Sequence, residues 1–512
     1  MGMSAGLQVV WFKRDLRLHD HAALCHAAAA GPVLCLYLIE PSLWSEPDAA
    51  CQHYLFAREC LDDLQRSLAA RGGGVLLLCG EAVTMLERLH RVAPFAALWS
   101  HQETGNAASF ARDRAVAAWC RAKGIPWHQP RQFGVVRALP CRDGWERQWR
   151  ALMEEPVLPA PACRFATVPV TSDPWPTPSS LGLDDWNPPL RQTGGRRAGI
   201  AALDSFLHER SRHYRGGISS PLLAEEACSR LSPYLSHGCL SLREVYQATC
   251  RRLVLLGPEA QWQKQGLRAF LSRLHWHCHF IQKLETEPEL EWRNLHRGYD
   301  GLREHEWDEA RFTALREGRT GWPLVDACVA MLHASGWLNF RMRAMLVSVA
   351  AYPLWLHWRP VGIWLAREFL DYEPGIHWSQ LQMQSGTTGI NVTRVYNPLK
   401  QGRDQDPEGR FVRRWLPPLR RVPDTWLFEP WRMPDDVQRR CGVIVGVDIP
   451  RPIVDLQLAT RQAKARVHAL RREADVRAGK AAIIEKHGSR KGTPGKSRAG
   501  AERNLTQLRL DW

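Results

Sequence analysis

The 512-residue sequence contains no Cys-x-x-Cys pair, and its 14 cysteines are scattered singly. That spacing excludes zinc fingers and the common iron–sulfur motifs, and leaves most of the thiols as small buried hydrophobes. No metal is expected. His275 and His279 in HWHCHF (275–280) share a helix face, yet no acidic third ligand follows at a recognised spacing, so a polar lining or packing role is favoured. No apolar run approaches the roughly eighteen residues of a membrane span. The start, MGMSAGLQVVWFKRD, lacks a basic segment and its apolar run is too short for a secretory signal, so a cytoplasmic protein is expected. No G-x-G-x-x-G follows the first apolar run, which removes the dinucleotide fingerprint. RGGGV at 71–75 reads as a helix-to-strand turn. No internal repeat is found.

Two quantities are in excess: a net charge of +15 and 23 tryptophans. Positive charge suggests a polyanionic partner, most simply nucleic acid. It is concentrated, because segment 461–512 holds 14 Lys/Arg against 5 Asp/Glu, nine of the fifteen net charges. LQVVWF (7–12), VLCLYLIE (33–40), VLLLC (75–79) and FAALWS (95–100) read as buried strands, and residues 52–72 and 109–124 as amphipathic helices between them. That alternation implies a doubly wound parallel sheet. Residues 154–198 are too rich in proline for helix or sheet, and read as a surface crossover or a mobile linker. From about 200 onward the apolar spacing is helical, and the end, GSRKGTPGKSRAG, is expected to be disordered.

Within the helical part, Ser232-Pro233 marks a helix start, and Ser241 with Glu244 a capping box. Ser229, Arg230 and Ser232 together read either as plain capping or as a phosphate site. Arg343, in the apolar stretch GWLNFRMRAMLV, needs a carboxylate or phosphate partner; Asp371 and Glu373 are the nearest acids in sequence. The tryptophans between 276 and 378 read either as bulk packing or as a chain of redox-active indoles. The segment RVYNPLKQGRDQDPEGRFVRRWLPPLRRVP (394–423) alternates turn residues, aromatics and arginines, as an ordered basic loop would.

Five stretches, VVWFKRDLRLHDHAAL, SRLSPYLSHGCLS, GRTGWPLVDACVAML, GWLNFRMR and YNPLKQGRDQDPEGRFVRRWLPPL, resemble the photolyase/cryptochrome family of light-driven flavoproteins, with similarity over residues 8–465. The resemblance implies an α/β plus all-α chain. An N-terminal doubly wound, Rossmann-like parallel-sheet antenna domain (1–140) would be followed by a Pro-rich connector (141–198). An all-helical FAD-binding domain (199–460) and a basic, flexible tail (461–512) would complete it.

Tyr214 and the run Cys228, Ser229, Arg230, Leu231 and Ser232 match the segment that holds the FAD phosphates, with Cys228 standing where Thr is usual. Arg273 matches an arginine beside the flavin, and Trp276, Trp337, Phe340 and Tyr372 are expected around it. Arg343 and Asp371 match an ion pair against the isoalloxazine, Glu373 replaces an Asp near the ribityl chain, and His377 or Ile376 should face flavin N5. Trp358 and Trp307 match the outer members of an electron-transfer chain whose innermost member is assigned to Trp378. Glu103 matches a carboxylate that contacts a folate antenna; a folate or deazaflavin antenna is therefore considered. Arg341, Arg403, Arg410 and Arg413 are candidate DNA contacts.

The implied activity is light-driven repair of UV pyrimidine dimers in DNA by a monomer, through an electron from excited reduced flavin. The alternative is a cryptochrome-type photoreceptor with a signalling partner. Ala269, Ser272, Phe340 and Ala344 stand where cyclobutane-dimer photolyases carry Glu, Trp, Asn and Met to grip the lesion, and the (6-4) histidines are missing too.

Overall fold

The computed structural model describes residues 6–390 and 395–488. Five short runs of β-branched and large apolar residues form strands Gln8–Phe12 (β1), Val33–Ile39 (β2), Val75–Cys79 (β3), Ala97–Trp99 (β4) and Trp127–His128 (β5). They make one parallel sheet in the order β3-β2-β1-β4-β5. Register is set by pairs such as Val10 with Cys35 and Val10 with Trp99. Helices Ala22–Ala30 (α1), Cys51–Ala69 (α2), Ala82–Val92 (α3) and Ala107–Lys123 (α4) connect the strands. Apolar side chains point to both faces of β1 and β2, so the sheet separates two cores, as a helix-covered parallel sheet requires. The chain order reverses between β1 and β4, and a cavity opens there, at the carboxyl ends of the strands. The two-residue β5 was not among the expected strands.

The connector is neither free nor structureless. It begins with helix Trp145–Glu154 (α5), whose Trp145 indole donates to the Gly134 carbonyl at 3.0 Å. Its proline-rich part then runs along the sheet: Phe165 bridges to Val33, and the Asp173 carboxylate accepts the Cys79 amide at 2.8 Å. Proline blocks regular ladders, but this segment still places acceptors and aromatics against β2 and β3.

The helices that follow include Arg196–His208 (α6), Leu242–Leu255 (α7), Gln261–Thr286 (α8), Pro323–Ser335 (α9), Phe340–Ala351 (α10), Trp358–Glu368 (α11) and Pro374–Ser385 (α12). Next come Pro398–Gln405 (α13), Arg410–Trp415 (α14), Leu456–Arg471 (α15) and Ala474–His487 (α16). The capping box of Ser241 and Glu244 opens α7. The long apolar stretch 324–356 is broken where Gly336 takes the left-handed φ of +63°. That turn places Trp337 and Phe340 on a cavity wall. Residues 461–487, expected to be flexible, are helical. Ala463, Val467 and Val476 pack on Tyr299, Tyr352 and Trp355, while the basic residues that made the segment look polar lie on its other faces. Residues 489–512, the rest of that expected tail, and Arg394 lie outside the described residues. Among the described residues no helix is long and apolar enough to cross a membrane.

Helices α11 and α12 cross closely at Gly362, where an added Cβ would lie 2.5 Å from the Leu381 side chain and 2.6 Å from the Trp378 ring. Gly362→Ala is therefore expected to destabilise the protein by about 1–3 kcal/mol, read as a lower denaturant midpoint at unchanged slope.

Candidate functional site

A cavity of about 500 Å³ lies between α8, α10, α11 and α12. All fifteen residues assigned above to the cofactor, from Tyr214 to His377, line it. The wall at one end is the loop before the short helix Ser232–Ser236. Arg210 bonds the Ser229 carbonyl at 3.1 Å and also reaches the Cys228 carbonyl. Gln192 donates to the Arg230 carbonyl at 2.9 Å. These bonds fix a backbone in which Arg230 has the left-handed φ of +58°, and its guanidinium lies 3.9 Å above the Trp337 ring. Arg210 and Gln192 were missed in the sequence because their partners are carbonyls, which carry no side-chain signature.

Arg343 forms a two-pronged ion pair with Asp371 at 2.9 and 3.0 Å, donates to the Leu338 carbonyl, and covers the Phe369 ring at 4.1 Å. Burial alone would raise the Asp371 pKa. The Arg343 charge and hydrogen bonds, joined by the Ser232 hydroxyl, outweigh it and hold the carboxyl below its ordinary value. Tyr372 donates to Asp48 at 2.6 Å. Glu373 receives Arg14 at 2.7 Å; burial dominates there and raises its pKa despite that arginine. Nε2 of His377 lies 2.8 Å from the Gly362 carbonyl, and burial pushes the imidazole pKa down to about 4. The ring is thus neutral, with its Nε2 proton on that carbonyl.

The tryptophan assignments separate. Trp378 and Trp358 are in ring contact at 5.9 Å, and the Trp358 indole donates to Asn294 at 2.8 Å. Trp378 does not line the cavity; His377 and Leu381 hold that face of α12, and the His377 ring is 5.0 Å from Trp378. The ring neighbour of Trp307 is Phe312, at 4.9 Å, which leads to Trp364 at 6.2 Å. Of the four lesion-grip positions, Phe340 and Ala344 line the cavity and Ala269 and Ser272 do not.

Glu103 lies in the other cavity, of about 190 Å³, at the edge of the sheet. Its carboxylate is already engaged by Arg112 and, at 3.4 Å, by Lys13. Burial opposes ionisation, but the Arg112 and Lys13 charges prevail and bring its pKa to about 2. The candidate DNA arginines are also partnered: Arg403 with Glu429 at 2.5 Å, Arg410 with Glu408 at 2.6 Å and Arg413 with Asp424 at 2.5 Å. Arg341 donates to Gln401 at 3.2 Å. Arg413 also bonds the carbonyls of Glu408 and Val422, so it holds the 408–424 loop in shape. The acids that neutralise this segment lie partly outside it, which is why it reads as more basic than it is.

One group of potential metal ligands occurs among the described residues: Asp15, His21 and His101. Nδ1 of His21 accepts the Leu24 amide at 3.0 Å. The proton therefore sits on Nε2, which faces Asp15 at 3.1 Å as a donor rather than a ligand. His275 and His279 both pack on Trp145.

Two family models match the chain. The model described as DNA photolyase covers residues 8–138, and the model described as FAD binding domain of DNA photolyase covers residues 270–469. The deoxyribodipyrimidine photo-lyase of Streptomyces griseus is 30% identical over 473 residues, spanning 88% of this chain and 96% of that protein. Cryptochrome DASH of Gloeobacter violaceus is 28% identical over 483 residues, spanning 89% and 94%. The crystal structure of a bacterial class III photolyase from Agrobacterium tumefaciens superposes with a TM-score of 0.79 at 25% identity, over 92% of this chain and 99% of that one. An α/β sheet domain joined to a helical domain with a polar-ended cavity is the architecture of a cofactor-binding protein. This chain belongs to the photolyase/cryptochrome family, and FAD is its cofactor.

Replacing Arg343 by Ala leaves Asp371 buried without its cation, a change that typically costs about 3–5 kcal/mol. The variant is expected to be purified with little bound FAD, read from visible absorbance. Because Asp371 titrates below its ordinary value when folded, the pair stabilises the protein above about pH 4, and that stability is lost as the pH falls further. In Asp371→Asn this acid-side loss should shrink.

Proposed function

We propose that the chain is a DNA photolyase that holds FAD in the helical-domain cavity and repairs pyrimidine dimers in light. The observation that carries the reading is the cavity itself, with a polar cofactor end and an aromatic end in one continuous space. In its lining, Arg230 Nη1, Gln380 Oε1 and Gln384 Oε1 are buried without hydrogen-bond partners, as expected of walls that complete their bonding on a polar cofactor. Ser229, Ser232, Arg230 and Tyr214 would hold the phosphates, with Arg343 and Asp371 against the isoalloxazine and the neutral His377 beside it. When bound, FAD supplies light absorption and one-electron chemistry.

The protein's part is positional and electrostatic. The Arg343–Asp371 pair sets a fixed dipole in a dry wall, Arg14 anchors Glu373, and Trp378 with Trp358 offers an indole path away from the cavity behind His377. Trp276, Phe280 and Phe340 give a damaged base a stacking surface in place of the missing polar grip. DNA is the partner proposed, as a damaged duplex whose lesion is flipped inward. An antenna pigment in the smaller cavity would have to displace Glu103 from Lys13 and Arg112. A monomer working in the cytoplasm completes the proposal.

A second reading, a signalling flavoprotein without repair, is favoured by Ala344 and Phe340, which leave the cavity wall without hydrogen-bonding groups at the lesion-grip positions. Illumination of the reduced, FAD-loaded protein with a dimer-containing oligonucleotide decides between them: restored thymines are expected, and their absence at any light dose favours sensing. Trp358→Phe is expected to slow flavin photoreduction at least tenfold with FAD still bound, whereas Trp307→Phe should slow it less, since its ring neighbour is Phe312. Time-resolved absorbance of the two variants checks the order.

A further inference from the structure

The two indoles in contact between α11 and α12 differ in what their N–H groups meet. Trp378 Nε1 is buried without a hydrogen-bond partner, and the nearby Tyr372 hydroxyl is committed to Asp48 at 2.6 Å. Trp358, whose ring centroid lies 5.9 Å from that of Trp378, donates to the Asn294 side chain at 2.8 Å. Both indoles are 2% exposed, so bulk water serves neither.

Asn294 is equally buried, and its side chain is tied at both polar atoms. Its Nδ2 donates to Asp300 at 2.7 Å and to Glu304 at 3.3 Å. Burial opposes ionisation of Glu304, but hydrogen bonds from the backbone of Arg303, Glu304 and Gly301 outweigh it and hold the carboxyl below its ordinary value. An ionised carboxylate only accepts, so the amide cannot be turned over, and Oδ1 is the atom that faces the indole. The segment that carries Asn294 is pinned to α12, the helix that carries Trp378. Gln382 of α12 accepts the Leu295 amide at 2.6 Å and donates to the carbonyls of Leu290 and Arg293 at 2.8 and 2.7 Å. One helix therefore sets both the inner indole and the acceptor of the outer one. A cation, Arg297, bonds the Asn294 backbone carbonyl at 2.9 Å, but Glu287 and Glu289 share its charge.

We infer that Asn294 is a positioning residue for electron transfer. Its amide, polarised by Asp300 and Glu304, makes Trp358 easier to oxidise than Trp378 and keeps the Trp358 indole proton in place. The inference rests on the indole path proposed above. Under light one electron leaves Trp378 for the oxidised cofactor, and one electron then passes from Trp358 to Trp378. No bond forms or breaks in that second transfer. The positive charge left on Trp358 turns its hydrogen bond to Asn294 into a charge-assisted one, and the carboxylates behind the amide reinforce it. On Trp378 the same charge would be buried without a hydrogen-bond acceptor, which is costly. The electron vacancy is thus held one indole further along the path, and its return is slowed. An oxidised indole is a strong acid, but an amide oxygen accepts the hydrogen bond without taking the proton. Trp307 has the opposite partner, the Glu309 carboxylate at 2.8 Å, which can take one.

The test is transient absorbance of the full chain loaded with oxidised FAD, in a Trp307→Phe background that removes the outermost assigned indole. It reads the rate of charge recombination and, from the radical's spectrum, whether the indole has kept its proton. A protonated tryptophan radical is expected. Asn294→Leu, similar in size but without an acceptor, should speed recombination by about tenfold or more, the usual effect of losing a hydrogen bond to a charged group, with FAD absorbance unchanged. Asp300→Asn keeps the amide and removes one anion behind it, so recombination should quicken by a smaller factor. Should Asn294→Leu not fold, Asp300→Asn decides alone. A merely structural role would change stability or FAD occupancy and leave recombination in the loaded fraction as it was. Wild-type recombination in Asn294→Leu overturns the inference, as does a deprotonated radical as the first species seen. If Trp358→Phe photoreduces as the wild type does, the indole path fails and the inference with it. A slowed Trp358→Phe beside an unchanged Asn294→Leu sinks the inference alone.

Discussion

Three consecutive side chains, Asp371, Tyr372 and Glu373, tie three different parts of the molecule to the start of α12. Asp371 holds Arg343 of α10, Tyr372 donates to Asp48 before α2, and Glu373 receives Arg14 from the loop after β1. The sheet domain and the cavity wall therefore share one short segment of backbone. A buried pair such as Arg343–Asp371 adds little net stability over an apolar alternative, but it is costly to break. Its value here is geometric: it fixes the direction of α10 against α12, and with it the width of the cavity.

That constraint organises the cavity's chemistry. The loop proposed for the cofactor phosphates is held through its carbonyls by Arg210 and Gln192, and one nitrogen of Arg230 stays buried without a hydrogen-bond partner. Burial keeps His377 neutral, and the Gly362 carbonyl fixes the position of its Nε2 proton. At the far end the C-terminal helix α16 delivers His487 beside Lys283, so the last described turn of the chain is part of the cavity rather than an appendage.

Packing decides how the indoles connect. Gly362 lets Trp378 sit under α11, in contact with Trp358 but behind the cavity wall. On the proposed indole path the innermost step would pass His377 or Leu381, and the spacing of tryptophans along the chain carries no information about that. Trp307 follows the same logic: it is half-buried against Phe312, whose further ring neighbour is Trp364.

The sequence alone determined the sheet class, most helices and the full set of cavity-lining residues proposed for the cofactor. Those signals are local: apolar periods of two and three-to-four, turn residues, caps and short motifs. The packed C-terminal helices read as a flexible basic segment for the same reason, since composition reports what a segment cannot do by itself and not what it packs against. Tertiary structure alone decided which charges are free. Arg403, Arg410 and Arg413 found carboxylates, Glu103 was drawn into the Lys13–Arg112 network, and Lys283 met Arg142 and His487 instead of an acid. A charge's partner is set by distances across the fold, and a linear sequence does not contain those distances.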